Sequence, residues 1–244
     1  MYTIRPVFHG YFYDYDTVMF TFKANYRGII EKVPLISYLI EGKDTCILVD
    51  TGPPKPEDAQ HMTHIRVFEA TCLDEELRRM GRDVKEVQAV ILTHIHWDHS
   101  YNLEMFPDIP IYVQKRELHY AVSPLPCDRR HYGYNPQNGQ PAWFTGFHQM
   151  RVLDGDAPIQ QGITAVLSPG HTPGMQGVLV ETKEGRYCIG SDTFPLFENY
   201  EKAIPSGIHV DLNEWFATYE RTKTLCDFIL PGHDIRVLDR SVYG

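Results

Sequence analysis

The apolar positions of this chain come in short runs separated by turn residues. Residues 33–40 form a β-branched and aromatic run closed by the polar turn 41–44. Residues 45–49 resume it, so the pair reads as a hairpin. The second run stops at Asp50, Thr51, Gly52, Pro53 and Pro54, where a glycine and two prolines cannot continue a ladder. The period then changes. Leu73, Leu77 and Met80 fall at i, i+4 and i+7, with Asp74, Glu75 and Glu76 early and Arg78 and Arg79 late, as a helix dipole prefers. Gly81 is placed to cap that helix.

Residues 87–93 form a short, largely apolar run typical of a buried strand. Further strands are expected at 109–113, 162–167, 178–180, 187–189 and 228–230, and helices at 115–122 and 213–228. The second helix places Trp215, Phe216, Tyr219, Thr222 and Leu225 near one face. Residues 123–146 dissolve into Pro, Gly, Tyr, Asn and Gln, and so long a connection inside a compact domain is usually a functional loop. Strands alternating with helices predict an α/β fold with mixed sheets.

At 244 residues the chain is long enough to bury a full core. Lys and Arg number 23 against 32 Asp and Glu, so the net charge is 23 − 32 = −9. An acidic chain without a basic block is a poor ligand for nucleic acid or an anionic membrane, which leaves small-molecule chemistry. No stretch approaches the ~20 apolar residues of a membrane helix. The start, Met1 to Pro6, has no basic segment followed by an apolar one, so no signal peptide is expected. The five cysteines, Cys46, Cys72, Cys127, Cys188 and Cys226, form no C-x-x-C pair, so reduced thiols and a cytoplasmic location are the simplest expectation.

The histidines change the picture. His94, His96, Asp98 and His99 lie within six residues at the end of an apolar strand. His94 and His96 are two apart, so an extended segment points both to one side, where they can clasp one metal. Asp98 and His99 sit where a helix would begin and can face a second. His171, Asp192 and His233 each follow a strand in a tight turn. Five His and two Asp suffice for two ions, and imidazole with carboxylate suits zinc, and also Mn, Fe or Co. His9, His61, His64, His119, His131, His148 and His209 share no such pattern and read as ordinary surface or core histidines.

The H-x-H-x-D-H segment with His171, Asp192 and His233 downstream resembles the metallo-β-lactamase superfamily, over nearly the whole chain. The resemblance implies an αββα sandwich, two mixed β-sheets flanked by helices, as one domain over 1–244, with loop 123–148 near the active site. It also implies that Asp50 supports the metal loops without binding metal itself. Residues 34–40, 47–52 and 110–117 are similar to the N-acyl homoserine lactonase group. By that likeness His94, His96 and His171 hold one metal, Asp98, His99 and His233 the other, and Asp192 bridges. Classical metallo-β-lactamases lack the bridging Asp. Glyoxalase II enzymes carry a further helical domain, whereas eleven residues follow His233 here. Flavodiiron proteins place Glu where His96 stands.

Two positions depart from the lactonase pattern. His99 is followed by Ser100, Tyr101 and Asn102 rather than Gly-Gly, and Pro195, preceded by Phe194, stands where many lactonases have a substrate-holding Tyr. Tyr38, Tyr101, Tyr132 and Tyr134, beside Phe194, remain candidates for the substrate site. The aromatic N-terminal segment (Phe8, Tyr11, Phe12, Tyr13, Tyr15, Phe20, Phe22) and loop 123–148 are expected to shape the pocket, and an exposed aromatic arm is consistent with a homodimer.

The expected activity is opening of a lactone ring, acyl homoserine lactones first (a quorum-quenching activity). Water activated between two metals attacks the carbonyl, and Asp98 passes the proton to the leaving alkoxide. Hydrolysis of another small ester, thioester or cyclic amide is the alternative. A non-hydrolytic metal-binding protein is a third reading, which the complete ligand set disfavours.

Overall fold

The computed structural model describes residues 1–23, 28–59, 68–134 and 139–244. His61 and His64 lie outside the described residues. One sheet contains β1 (Thr3–Asp16), β2 (Ile29–Gly42), β3 (Thr45–Val49), β4 (Phe68–Ala70), β5 (Ala89–Ile91), β6 (Ile111–Gln114) and β7 (Met150–Leu153), in the order β4-β1-β2-β3-β5-β6-β7. The other contains β8 (Ala157–Gln160), β9 (Ile163–Leu167), β10 (Gln176–Glu181), β11 (Arg186–Ser191) and β12 (Phe228–Pro231), in the order β12-β11-β10-β9-β8. Both are mixed. β3, β5, β6 and β7 run parallel, as do β11 and β12, and the remaining neighbours are antiparallel.

The sheets pack face to face. Ile36, Tyr38, Ile40, Ile47, Val49 and Ile91 of the first meet Ile163, Val178, Val180, Ile189 and Leu230 of the second. The helices are α1 (Pro56–Ala59), α2 (Leu73–Arg79), α3 (Trp97–Ser100), α4 (Lys115–Val122), α5 (Phe197–Lys202) and α6 (Leu212–Leu225). Leu73 and Leu77 of α2 and Ala121 of α4 cover the outer face of the first sheet through Leu39, Leu48 and Val90. Trp215 of α6 covers the outer face of the second through Val166, Leu179 and Cys188. The result is helix, sheet, sheet, helix. Burial on both faces explains why residues 35–40, apolar but for the buried Ser37, do not alternate between apolar and polar.

The structure departs from the sequence expectations in several places. Of the aromatic N-terminal segment, Phe8 to Tyr15 lie on a 14-residue strand, β1, bulged at His9, where the register with β2 shifts between Phe8 and Gly10, and Phe20 and Phe22 follow it. The helix expected over 213–228 stops at Leu225 because Asp227 is drawn to β11. Its backbone N–H donates to the Arg186 carbonyl, and its carboxylate accepts the Arg186 N–H at 2.8 Å. At the end of the loop expected over 123–148, Ala142–Gln149 form a 3-10 helix that buries Trp143. The edge strands β7 and β8, four residues each with a single polar side chain apiece, carried no readable period.

Candidate metal centre

Strand ends deliver the site. β5 ends at Ile91, the chain bends at Thr93, and His94 and an extended His96 follow before α3 begins at Trp97. His171 lies in the turn between β9 and β10, Asp192 directly follows β11, and His233 follows β12. Asp50 follows β3, the parallel neighbour of β5. Two of these strand ends take left-handed backbone, Asp50 at φ 62° and Ser191 at φ 44°. Such residues cost of order 1–2 kcal/mol each and persist where the surroundings over-determine them, commonly at functional sites.

All seven candidate ligands meet at one place. The donor atoms of His94, His96 and His171 lie within 4.8 Å of one another, as do those of Asp98, His99 and His233, and those of His94, His99 and Asp192. Asp192 stands between the sets. Its Oδ1 is 3.5 Å from His99 Nε2 and 3.2 Å from His233 Nε2, while its Oδ2 is 3.7 Å from His171 Nε2. Asp98 Oδ2 faces His99 Nε2 at 3.7 Å and His233 Nε2 at 3.8 Å.

The partners of the ring nitrogens assign their protons. His99 Nδ1 donates to Asp50 Oδ2 (2.9 Å), His171 Nδ1 to the Ile208 carbonyl (2.8 Å) and His233 Nδ1 to the Pro34 carbonyl (2.9 Å). Each acceptor is an oxygen, so each Nε2 turns a lone pair to the centre, as metal-binding imidazoles do. Thr93 gives its hydroxyl hydrogen to Asp50 and so accepts from His94 Nδ1 at 3.1 Å. His94 Nε2 and His99 Nε2 are buried with no hydrogen-bond partner. Buried polar atoms are rarely left so, and a divalent cation satisfies lone pairs converging in this way. The donor set fits two such ions.

The charges divide the histidines into two groups. Burial, with neighbouring imidazoles, holds His94 and His96 well below the ordinary imidazole value. Burial also opposes charge on His99 and His233, yet the Asp192 and Asp98 carboxylates raise both. Asp192 is held well below the usual carboxylate range by His233 and His99, against its own burial.

The cleft above this cluster is lined by Phe12, Tyr15, Met19, Phe20, Trp97 and Ile208, together with His131. The N-terminal segment therefore does shape the pocket, through Phe12, Tyr15 and Phe20. Phe8 packs on Tyr11 and Tyr11 on Tyr13 along the strand instead. Three of the four phenols singled out from sequence are engaged elsewhere. Tyr38 is buried with its hydroxyl donated to the Pro231 carbonyl, Tyr132 donates to Glu117 at 2.9 Å, and Tyr134 donates to the Ala121 carbonyl at 2.8 Å. Tyr101 is half-buried near Asp58 and Glu104, and Phe194 is core packing against Trp215. Tyr132 still touches the site, its ring edge-on to His96 at 5.0 Å.

His131, read from sequence as an ordinary histidine, lines the cleft 5.2 Å from the His96 ring, and its carbonyl accepts the Trp97 N–H. Sequence reading also passed over Thr93, Ser191 and Glu117. Only the position of Thr93 and Ser191, each beside a candidate ligand at a strand end, marked those two.

A family model described as the metallo-beta-lactamase superfamily matches residues 36–233. The chain belongs to the metallo-beta-lactamase superfamily. Within that superfamily it is similar to the N-acyl homoserine lactonase of Bacillus cereus, 27% identical over 228 residues that cover 85% of this chain and 84% of the relative. Among solved structures it resembles an N-acyl homoserine lactone hydrolase with the product N-hexanoyl-L-homoserine at its catalytic metal centre. The TM-score is 0.76 at 21% identity, covering 97% of this chain and 95% of that one. It also resembles AidC, a dizinc quorum-quenching lactonase, with a TM-score of 0.71 at 18% identity, covering 96% and 88%. The αββα sandwich of this superfamily is the fold described above.

Proposed function

We propose that this chain, a hydrolase of the metallo-beta-lactamase superfamily, opens lactone rings at a dinuclear metal centre, with acyl homoserine lactones the leading substrate. His94, His96 and His171 would hold one ion, Asp98, His99 and His233 the other, and Asp192 would bridge them. The observation that carries this reading is the division of Asp192, with one oxygen on His99 and His233 and the other on His171. Zinc is the first expectation, since AidC is described as dizinc, and Mn, Fe or Co also suit the donors. When bound, such ions supply Lewis acidity toward a carbonyl and bring the pKa of water toward ~7.

The chain's own residues do the rest. Asp98 keeps its carboxylate at the mouth of the cluster, 12% exposed, where it can accept a proton and return it to the leaving alkoxide. Tyr15 takes the place of the missing tyrosine after Asp192. Its pKa is pushed up to about 12, first by burial and then by the Asp98 charge, so it remains a phenol that can donate to a substrate oxygen. Phe12, Met19, Phe20, Trp97 and Ile208 offer an apolar wall suited to an acyl chain. The lactonase relative, aligned over most of both chains, supports this substrate class.

Metal-reconstituted protein tested by proton release on short and long acyl homoserine lactones, simple γ- and δ-lactones, a glutathione thioester and a β-lactam decides the matter. Preferential opening of acyl homoserine lactones is expected. Turnover confined to the thioester or the β-lactam would overturn the lactonase reading.

A further inference from the structure

Glu117, in the first turn of α4, is fully buried yet belongs to none of the candidate ligand sets. Its two oxygens accept four hydrogen bonds from three separate segments. Oε1 accepts from the Ile95 N–H (3.0 Å) and the Tyr132 hydroxyl (2.9 Å), and Oε2 from the Thr172 hydroxyl (2.6 Å) and the Gly174 N–H (3.2 Å). Ile95 lies between His94 and His96, Thr172 follows His171, and the Tyr132 ring packs against His96. Every donor therefore lies beside a member of a single set or, for Gly174, in the same turn as one. The contact with the His171 turn is close, since a Cβ at Gly174 would overlap the Glu117 backbone nitrogen. The other set is tied elsewhere, His99 to Asp50 and His233 to the Pro34 carbonyl.

We infer that Glu117 is a positioning residue for the site formed by His94, His96 and His171. By accepting from both loops at once it sets the separation between the 94–96 segment and the 171–174 turn. The inference rests on the two-metal reading above. A carboxylate is required because four donors converge on two oxygens. In Glu117→Gln one of those oxygens becomes an NH2 donor. The Tyr132 and Thr172 hydroxyls can rotate to accept from it, but the N–H of Ile95 or Gly174 cannot, so one loop loses its backbone hydrogen bond whichever way the amide turns.

The test is equilibrium titration of metal-free, full-length protein with Zn2+ and with Co2+ against a competing chelator, following the Co2+ absorption spectrum and the melting temperature before metal is added. Wild type is expected to take up two ions. Glu117→Gln is expected to lose roughly 10–100-fold in affinity for one of them, the ion whose Co2+ bands His171→Ala also removes, with the other affinity within about twofold. Unchanged affinities overturn the inference, and so does equal weakening of both ions with a lower metal-free melting temperature, which is the signature of general destabilisation. Should Glu117→Gln fail to fold, Thr172→Val removes a single donor and is expected to weaken the same ion by a smaller factor. Two unchanged affinities in that variant overturn the inference equally. A wild type that binds fewer than two ions defeats the two-metal reading itself, and the inference with it.

Discussion

The carboxylate of Asp50 accepts the Nδ1 hydrogen of His99 at 2.9 Å, deep beneath the candidate metal centre. The same carboxylate accepts the Thr93 N–H and hydroxyl, both at 2.7 Å, so it ties the end of β5 to the start of α3. Asp50→Asn replaces one acceptor oxygen with a donor that must face a donor. A roughly 10–100-fold loss of metal affinity is expected with the fold retained, measured by chelator competition and circular dichroism. An unchanged affinity would remove Asp50 from the support of the site.

Asp192 faces both histidine sets, one through each oxygen. Asp192→Ala should bring bound metal below two ions per chain, measured by elemental analysis after dialysis. Retention of two ions would sink the bridging assignment.

Asp98 lies between His99 and His233 and reaches the cleft. Asp98→Asn keeps the shape and removes the base. Turnover should fall by about 10²–10⁴-fold, the usual contribution of a positioned acid–base group. Near wild-type turnover would take proton transfer away from it.

Tyr15 and Tyr38 should respond in opposite ways. Tyr15→Phe removes a hydroxyl from the cleft and is expected to lower kcat/KM about tenfold, equivalent to ~1.4 kcal/mol, with little change in melting temperature. Tyr38→Phe deprives the buried Pro231 carbonyl of its donor and should cost about 1 kcal/mol of stability while leaving kcat/KM in place. The reverse pattern would show that Tyr38, rather than Tyr15, serves the substrate.

His9 is a further source of acid sensitivity. It is buried at the β1 bulge, with Nε2 2.9 Å from Ser37 Oγ, and its pKa falls from 6.5 to about 3, first through burial and then through the charge on His99. Between those values the unfolded chain binds a proton that the folded protein refuses. The stability is therefore complete above pH 6.5 and declines as pH falls toward 3, by roughly 1.4 kcal/mol per pH unit from this group. Denaturant midpoints from pH 7 to pH 4 should fall less steeply in His9→Gln than in wild type. Parallel slopes in the two proteins would refute this.

Sequence by itself determined the elements whose signal is local. The 33–49 hairpin reads from its turn, and α4, expected over 115–122, is observed as Lys115–Val122. The seven candidate ligands are legible for the same reason, because four of them share one short segment and the rest follow strands in tight turns. What needed the tertiary structure is pairing at long range. Tyr38 could be set aside only when its hydroxyl met Pro231, 193 positions away, and Tyr15 and His131 became cleft residues only when a bulged strand and a loop closed over one centre. Glu117 is the clearest case. In sequence it is one carboxylate among 32 acidic residues, and its position gains meaning only where Ile95, Tyr132, Thr172 and Gly174 converge on it. Periodicity and turn chemistry act over a few residues and leave a mark on the sequence. Hydrogen bonds between distant segments depend on how the two sheets pack, and no short window of sequence records that.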